Sequence, residues 1–221
     1  MQVANRDLIR AINRFNILNT IRVAKLISRV DIAKSTGLSQ ASVTGISAEL
    51  IRDGIILEKK SRKSSLGRRP ILLSLNPDGA IVIGVKISIH QVSIVLLDFE
   101  ATVLKTDIVP LDRKMYTVEE IAEVIVQAVQ ACLWKANYHK SQISGIGIGI
   151  PGIVDSPSGL VKFLPNYQWR NANLQELVHR RLELLTYVEN DANALAVAEQ
   201  WFGEGRGVDN FLLISLEYGV G

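Results

Sequence analysis

The stretch from Ser28 to Asp53 constrains this chain more than any other. Ser28 stands where a helix N-cap would, and Asp31, three residues on, can bond back toward the open donors of a first turn. Thr36-Gly37-Leu38 ends that helix, because Gly37 takes the left-handed conformation at no side-chain cost. Ser39 then caps a second helix in which Val43, Ile46 and Leu50 recur at three- and four-residue spacing and form one buried stripe. Gln40, Ala41, Thr44, Gly45, Ala48 and Arg52 lie on its other faces, small and polar enough to enter a groove. A helical hairpin in an all-α core has the same local pattern, and the continuation separates the two. Asp53-Gly54 stops the second helix, Ile55 to Lys60 reads as a strand, Lys59 to Arg69 is basic and rich in Ser and Gly, and Pro70 to Leu75 returns as a second strand. That order predicts a winged helix-turn-helix over residues 1–75. Ser39, Gln40, Ala41, Ser42, Thr44 and Gly45 are its candidates for contact with double-stranded DNA through the helix, and Arg62, Lys63, Arg68 and Arg69 through the wing.

Charge follows the same division. Residues 1–70 hold 14 Lys and Arg against 5 Asp and Glu, whereas residues 71–221 hold 11 against 17. The formal charge of +3 therefore conceals a basic N-terminal part suited to a polyanion and an acidic remainder that is not. Cys132 is the single cysteine, so neither an internal disulfide nor a thiolate zinc site can be completed, and a reducing cytoplasmic compartment is expected. No 18-residue apolar run and no signal peptide are apparent, so no membrane association is expected.

Taken in order, Leu8, Ile12, Phe15, Leu18 and Ile21 predict a first helix from Asn5 to about Lys25 with an interruption near Asn16. Arg6, Arg10, Arg14 and Arg22 read as its solvated face. Asn76-Pro77-Asp78-Gly79 is a linker turn, and residues 80–221 form a second domain. Ala80 to Ile87, Gln91 to Asp98 and Val103 to Pro110 predict an antiparallel meander. Thr117-Val118-Glu119-Glu120 is a capping box opening a helix to about Tyr138. A strand over Ile143 to Ile150, a loop, a helix capped by Asn173 and running to about Leu185, a strand over Tyr187 to Glu189, a helix over Ala192 to Phe202 and a last strand over Phe211 to Leu216 complete the chain. The fold class expected is α/β, with an N-terminal winged helix-turn-helix and a ribonuclease H-like lobe of the actin-like ATPase and sugar kinase superfamily.

In open α/β sheets ligands bind beyond the carboxyl ends of strands. Gly149-Ile150-Pro151-Gly152 there allows close backbone approach, and Glu189-Asn190-Asp191-Ala192-Asn193 offers carboxylate and amide groups that match sugar hydroxyls. The alternative is that Asn190 and Asp191 only cap the following helix. Together with Gly67-Arg68-Arg69-Pro70, Asn76-Pro77, Leu164-Pro165-Asn166-Tyr167-Gln168-Trp169 and Glu199-x-x-Phe202-Gly203, these motifs resemble the ROK family of repressors, open reading frames and kinases across essentially the whole chain. The winged N-terminus places the resemblance with its repressor branch.

That resemblance implies a sugar-responsive regulator, a monosaccharide effector held by Gly149, Gly152, Asn166, Asn190 and Asp191, and a homodimer. In the kinases of the family the Asp matching Asp191 is the general base toward the sugar hydroxyl. Lys86 occupies the position of the kinases' metal-linked Asp, and Leu216-Glu217-Tyr218-Gly219 carries Glu and Tyr where they favour Gly and Thr. Phosphoryl transfer needs nucleotide and metal both positioned, so no catalysis, cofactor or metal is expected. The rival readings are a sugar kinase with an appended DNA-binding module and a non-inducible DNA binder. Family members continue into a second lobe, so the resemblance further implies a half-built sugar site in these 221 residues and weak sugar binding.

Overall fold

A computed structural model describes residues 2–60, 71–208 and 210–216. The chain divides into two compact units, Met1–Ala80 with Asp98–Thr102, and Ile81–Leu97 with Val103–Gly221.

In the first unit, helix α1 (Gln2–Ala24) is followed by a two-residue strand β1 (Ile27–Ser28), helices α2 (Arg29–Thr36) and α3 (Gln40–Arg52), and strands β2 (Ile56–Lys60) and β3 (Ile71–Leu75). Most of the local signals act as expected, although the Asp31 carboxylate accepts from the Ser28 hydroxyl at 2.7 Å and not from a backbone donor. The Ser28 hydroxyl accepts from the Asp31 N–H, Gly37 closes α2 at φ +69°, and the Ser39 hydroxyl accepts from the Ser42 N–H to cap α3. Val43, Ile46 and Leu50 are buried against Ile17, Ile21, Ile32, Ile56 and Leu73. Helix α1 departs from expectation in two ways. It is continuous through Asn16, and its core contacts are Ile17 and Ile21, with Leu18 only partly buried, whereas Leu8, Ile12 and Phe15 are about half exposed or more. Periodicity marks an apolar stripe, but in this unit only its C-terminal half has a core to meet. Strand β1, unforeseen, pairs antiparallel with β3 through Ile27 and Leu73, so that the winged sheet has the order β1-β3-β2.

The second unit is built on a five-stranded sheet of β4 (Ile81–Ile87), β5 (Gln91–Leu97), β6 (Val103–Pro110), β7 (Ile143–Ile150) and β11 (Thr186–Asn190), in the order β11-β7-β4-β5-β6. The meander β4-β5-β6 is antiparallel, and β4, β7 and β11 run parallel. Helix α4 (Val118–Ala136) begins with the complete Thr117–Glu120 capping box and buries Ile121, Ile125, Val129 and Cys132 on the sheet. Helices α5 (Leu174–Leu182) and α6 (Asp191–Phe202) flank β11 in sequence. The stretch read as a loop is instead a small antiparallel sheet of β8 (Ile153–Asp155), β9 (Leu160–Leu164) and β10 (Trp169–Ala172). These strands are too short to show a period, and their mutual pairing supplies the missing hydrogen bonds. Asn173 makes no side-chain cap bond, since its backbone (φ −98°, ψ 61°) lies outside the usual capping conformation, and α5 stops at Leu182 with Glu183 left-handed. The last expected strand, Phe211 to Leu216, is not formed: only an isolated bridge at Leu216 is present, and Leu212, Ile214 and Leu216 are exposed. A strand needs a neighbour for its backbone groups, and none of the described ladders includes these residues. No helix is long and apolar enough to cross a membrane among the described residues.

Candidate nucleic-acid interface and ligand site

Within the first unit α3 is held from its buried side and along its C-terminal half. Arg10 pairs with Glu49, and Arg14 pairs with Asp53 at 3.1 Å. The hydrogen bond from Arg10 keeps the Glu49 carboxyl below its ordinary range. Two of the arginines read as a solvated face thus tie α1 to α3. Arg29 likewise bonds Glu58 of β2 at 2.7 Å. The opposite side of α3 is open: Gln40, Ala41, Thr44 and Gly45 are exposed, and a Cβ placed on Gly45 would meet nothing within 4 Å. Ser39 and Ser42, also candidates for DNA contact, are engaged with each other at 2.9 Å in the cap. Arg62, Lys63, Arg68 and Arg69 lie outside the described residues, whereas Lys59 and Lys60 on β2 are exposed.

In the second unit the carboxyl ends of the three parallel strands are cross-linked by their own motif residues. The Asn190 amide Nδ2 donates to the Gly152 carbonyl at 2.9 Å while its Oδ1 accepts from the Asn193 N–H at 3.1 Å. Asn190 therefore does cap α6, and it also joins the end of β11 to the turn after β7. Gly152 is glycine because of the fold: a Cβ there would lie 2.7 Å from the Phe163 carbonyl oxygen and 3.1 Å from Leu164. That packing brings in the segment bearing Asn166, which is half-buried between two anchors. Tyr167, buried, donates from its hydroxyl to the Ser88 carbonyl just beyond β4, and Trp169 donates from Nε1 to the Tyr116 carbonyl.

Asp191 opens α6 with its Oδ1 accepting from the Ala192 N–H at 3.0 Å, and a Cβ on Gly149 would lie 3.7 Å from it. Asp191, Glu189, Gly149, Tyr187 and Lys86 line one cavity of about 570 Å³, whose other walls are largely apolar sheet and α6 residues. Lys86 pairs with Gly149 across the parallel ladder. Burial disfavours the charge on Glu189, but hydrogen bonds from Ser156, the Asn193 amide and the Asn190 N–H outweigh it and hold the carboxyl below its usual range. Asn166, Asn190 and Gly152 do not line this cavity, so the five expected sugar residues divide into Gly149 and Asp191 on it and three that are not, of which Asn190 and Gly152 are joined by a hydrogen bond. Glu189 and Asn193 were not among them. Their presence in the same short motif was the available signal, but only the structure shows that they hold each other at 3.0 Å. Among the described residues no cluster of His, Cys, Asp and Glu suits a metal ion.

Comparison with known proteins matches both units. A winged helix-turn-helix DNA-binding model matches residues 10–56, and the ROK family model matches residues 82–221. The chain is 34% identical over 219 residues to a xylose repressor of Caldicellulosiruptor bescii, covering 99% of this chain and 55% of that one. A crystal structure of a ROK family transcriptional regulator, a homologue of the E. coli MLC protein, aligns with TM-score 0.80 and 27% identity over 96% of this chain and 54% of that one. A ROK family glucokinase from Streptomyces griseus, in complex with glucose and AMPPNP, aligns with TM-score 0.53 and 35% identity over 64% of this chain and 43% of its own. The chain thus spans about half the length of the relatives it matches. With a family model covering most of its length and the strand-end motifs in one place, the chain belongs to the ROK family.

Proposed function

We propose that this chain serves a sugar-responsive transcriptional repressor of carbohydrate-metabolism genes, acting in the cytoplasm as a homodimer on operator DNA. The observation that carries the reading is the presentation of α3. Its apolar stripe and Glu49 are fixed inward, and Gln40, Ala41, Thr44 and Gly45 face outward at its N-terminal half. Helix-turn-helix proteins read base edges with the N-terminal residues of such a helix. Arg62, Lys63, Arg68 and Arg69 of the wing would supply sequence-independent phosphate contacts, each adding about 0.9 to the salt slope of binding. Similarity to a xylose repressor over nearly the whole chain supports the same reading.

A monosaccharide would be the effector, taken at the strand ends where Asp191 and Gly149 line the cavity, with Asn166, Asn190 and Gly152 as the further expected contacts. A second reading is a sugar kinase with a DNA-binding module, favoured by the likeness of the second unit to a glucokinase. Lys86 argues against it, since an ammonium on the cavity wall at the place of a metal-linked carboxylate opposes a divalent cation. Selection of bound duplexes from a random pool, read by gel shift at several salt concentrations, tests the repressor reading: a consensus must emerge, and residues 76–221 alone must not retain it. ATP turnover with a hexose panel in a coupled assay would establish the kinase instead.

A further inference from the structure

We propose that the free edge of β6 is a homodimer interface, at which the β6 strands of two copies pair antiparallel about a two-fold axis through Thr106. This rests on the homodimer reading above and assigns it a surface. In the order β11-β7-β4-β5-β6, strand β6 has β5 on one side and, among the described residues, no strand on the other. The Leu111 N–H bonds the His90 carbonyl at 2.8 Å, next to the Gln91–Pro110 pair. Antiparallel neighbours alternate between pairs that exchange hydrogen bonds and pairs that do not, so Val109, Asp107 and Lys105 direct their backbone groups to β5. Thr106 and Ile108 direct theirs outward. Such groups are a template for a further strand, and folded proteins restrict where one can add. Here the register shift opposite Leu96 and Leu97 bounds the stretch at one end, and Pro110, without an N–H, bounds it at the other.

The charge pattern selects a second copy of this chain. With Thr106 opposite its own counterpart, Lys105 of each copy lies opposite Asp107 of the other, and Leu104 lies opposite Ile108. Opposite-charge and apolar pairs facing each other across two strands are both favourable. Centring the axis on either neighbour would instead set Lys105 or Asp107 against itself, like charge on like. Asp107 carries its charge, because a hydrogen bond from Lys135 at 2.8 Å holds its carboxyl below the usual range. Leu104 and Ile108 are 39% and 57% exposed, area that pairing would cover.

Helix α4 packs over both β5 and β6, so the same axis sets its copy about two strand spacings, roughly 10 Å, away on the same face. That is the separation of packed helices. On one flank of α4, Arg181 of α5 holds the Glu119 carbonyl and the Glu123 carboxylate. The other flank, marked by Lys135 on Asp107, runs back in steps of three and four through Ala131, Ala128 and Val124, small enough to admit a second helix.

Sedimentation equilibrium of the 221-residue chain and of Lys105→Glu, with mild oxidation of Thr106→Cys and Ile108→Cys, tests this. Cys132, the one other cysteine, is buried. A residue on the axis meets its copy at about 5.5 Å between Cα atoms, within disulfide range, whereas Ile108 lies about 14 Å along the strand from its own copy. The parent should dimerise, Lys105→Glu should raise the dissociation constant at least tenfold, and Thr106→Cys should cross-link into a dimer while Ile108→Cys does not. Circular dichroism checks that each variant keeps the fold. A dimer that Lys105→Glu weakens less than tenfold, or in which Thr106→Cys stays uncrosslinked or Ile108→Cys cross-links as readily, overturns the inference and leaves the homodimer reading standing. A chain that stays monomeric up to millimolar concentration overturns both.

Discussion

The outward side chains of α3 and the polar residues at the parallel strand ends are both candidate contact surfaces, and they are built in opposite ways. Gln40 and Thr44 make no side-chain hydrogen bond among the described residues, and Gly45 is not required by any neighbour. At the strand ends Asn190 bonds at both ends of its amide, Gly152 is packed under a carbonyl, and Asp191 and Glu189 hold backbone N–H groups. The outward face of α3 can therefore change its sequence without disturbing the fold, whereas the candidate ligand residues at the strand ends are part of the fold. Substitutions on α3 should separate binding from stability, and substitutions at the strand ends should not.

The sharpest test of that contrast is Asn190→Ala. It removes the cap of α6 and leaves the Gly152 carbonyl and Asn193 N–H without their partner, a loss of about 2–3 kcal/mol from cap and hydrogen-bond magnitudes. Chemical denaturation should show the loss together with any loss of sugar binding; full stability without sugar binding would make Asn190 a pure ligand group and break the comparison. Next in size is Gln40→Ala, expected to leave the melting temperature unchanged while removing on the order of 1–3 kcal/mol of discrimination at one operator position. Competition gel shifts with single-base variants read this directly, and a uniform weakening across all variants would contradict base contact by α3.

Gly45→Ala should raise stability by about 0.5–1 kcal/mol, because a glycine inside a helix costs that much relative to alanine and the new methyl group meets nothing. Thermal melts alongside operator titration should show stability rising while affinity falls. If affinity stays level, Gly45 does not face DNA. Smallest is the pH effect of Glu49. Its folded pKa is lowered from an ordinary 4.5, so the pair with Arg10 contributes stability above about pH 4.5 that is lost as pH falls through the depressed folded value. Glu49→Gln should be slightly less stable than the parent at pH 7 and should converge with it in acid, measured by urea midpoints.

What could be read from the sequence was what neighbouring residues decide among themselves. Ser28, Gly37, Ser39 and the Thr117–Glu120 box all act within four residues, and each does in the structure what its position implies. What escaped depends on partners far along the chain. Ile27 and Ser28 become a strand only because Leu72 and Leu73 come to them, and β8, β9 and β10 are strands only through one another. Leu8 and Phe15 have the spacing of a core stripe, and in the first unit they stay about half exposed or more. Asn173 and Asn190 both precede a helix, yet backbone conformation lets only the second one cap it. At the candidate site, motif resemblance located the strand ends, but the engagement of Asn190 and Glu189 with the backbone is a three-dimensional fact. The wing cations Arg62, Lys63, Arg68 and Arg69 fall outside the described residues and stand on sequence alone.

The pairing of β4 has a consequence for the order in which the protein comes into being on the ribosome. Its antiparallel neighbour β5 follows at once, but its parallel neighbour begins at Ile143, opposite Ile81, and β11 later still. Residues that group into the first unit end with Thr102. Nascent chains fold domain by domain as they emerge, and non-local strand pairing is slow because a long loop must first be closed. The winged helix is thus fully synthesised while the five-stranded sheet still lacks its parallel half, and for that interval a nascent chain carries one candidate contact surface, on α3, before the other, at the parallel strand ends, exists.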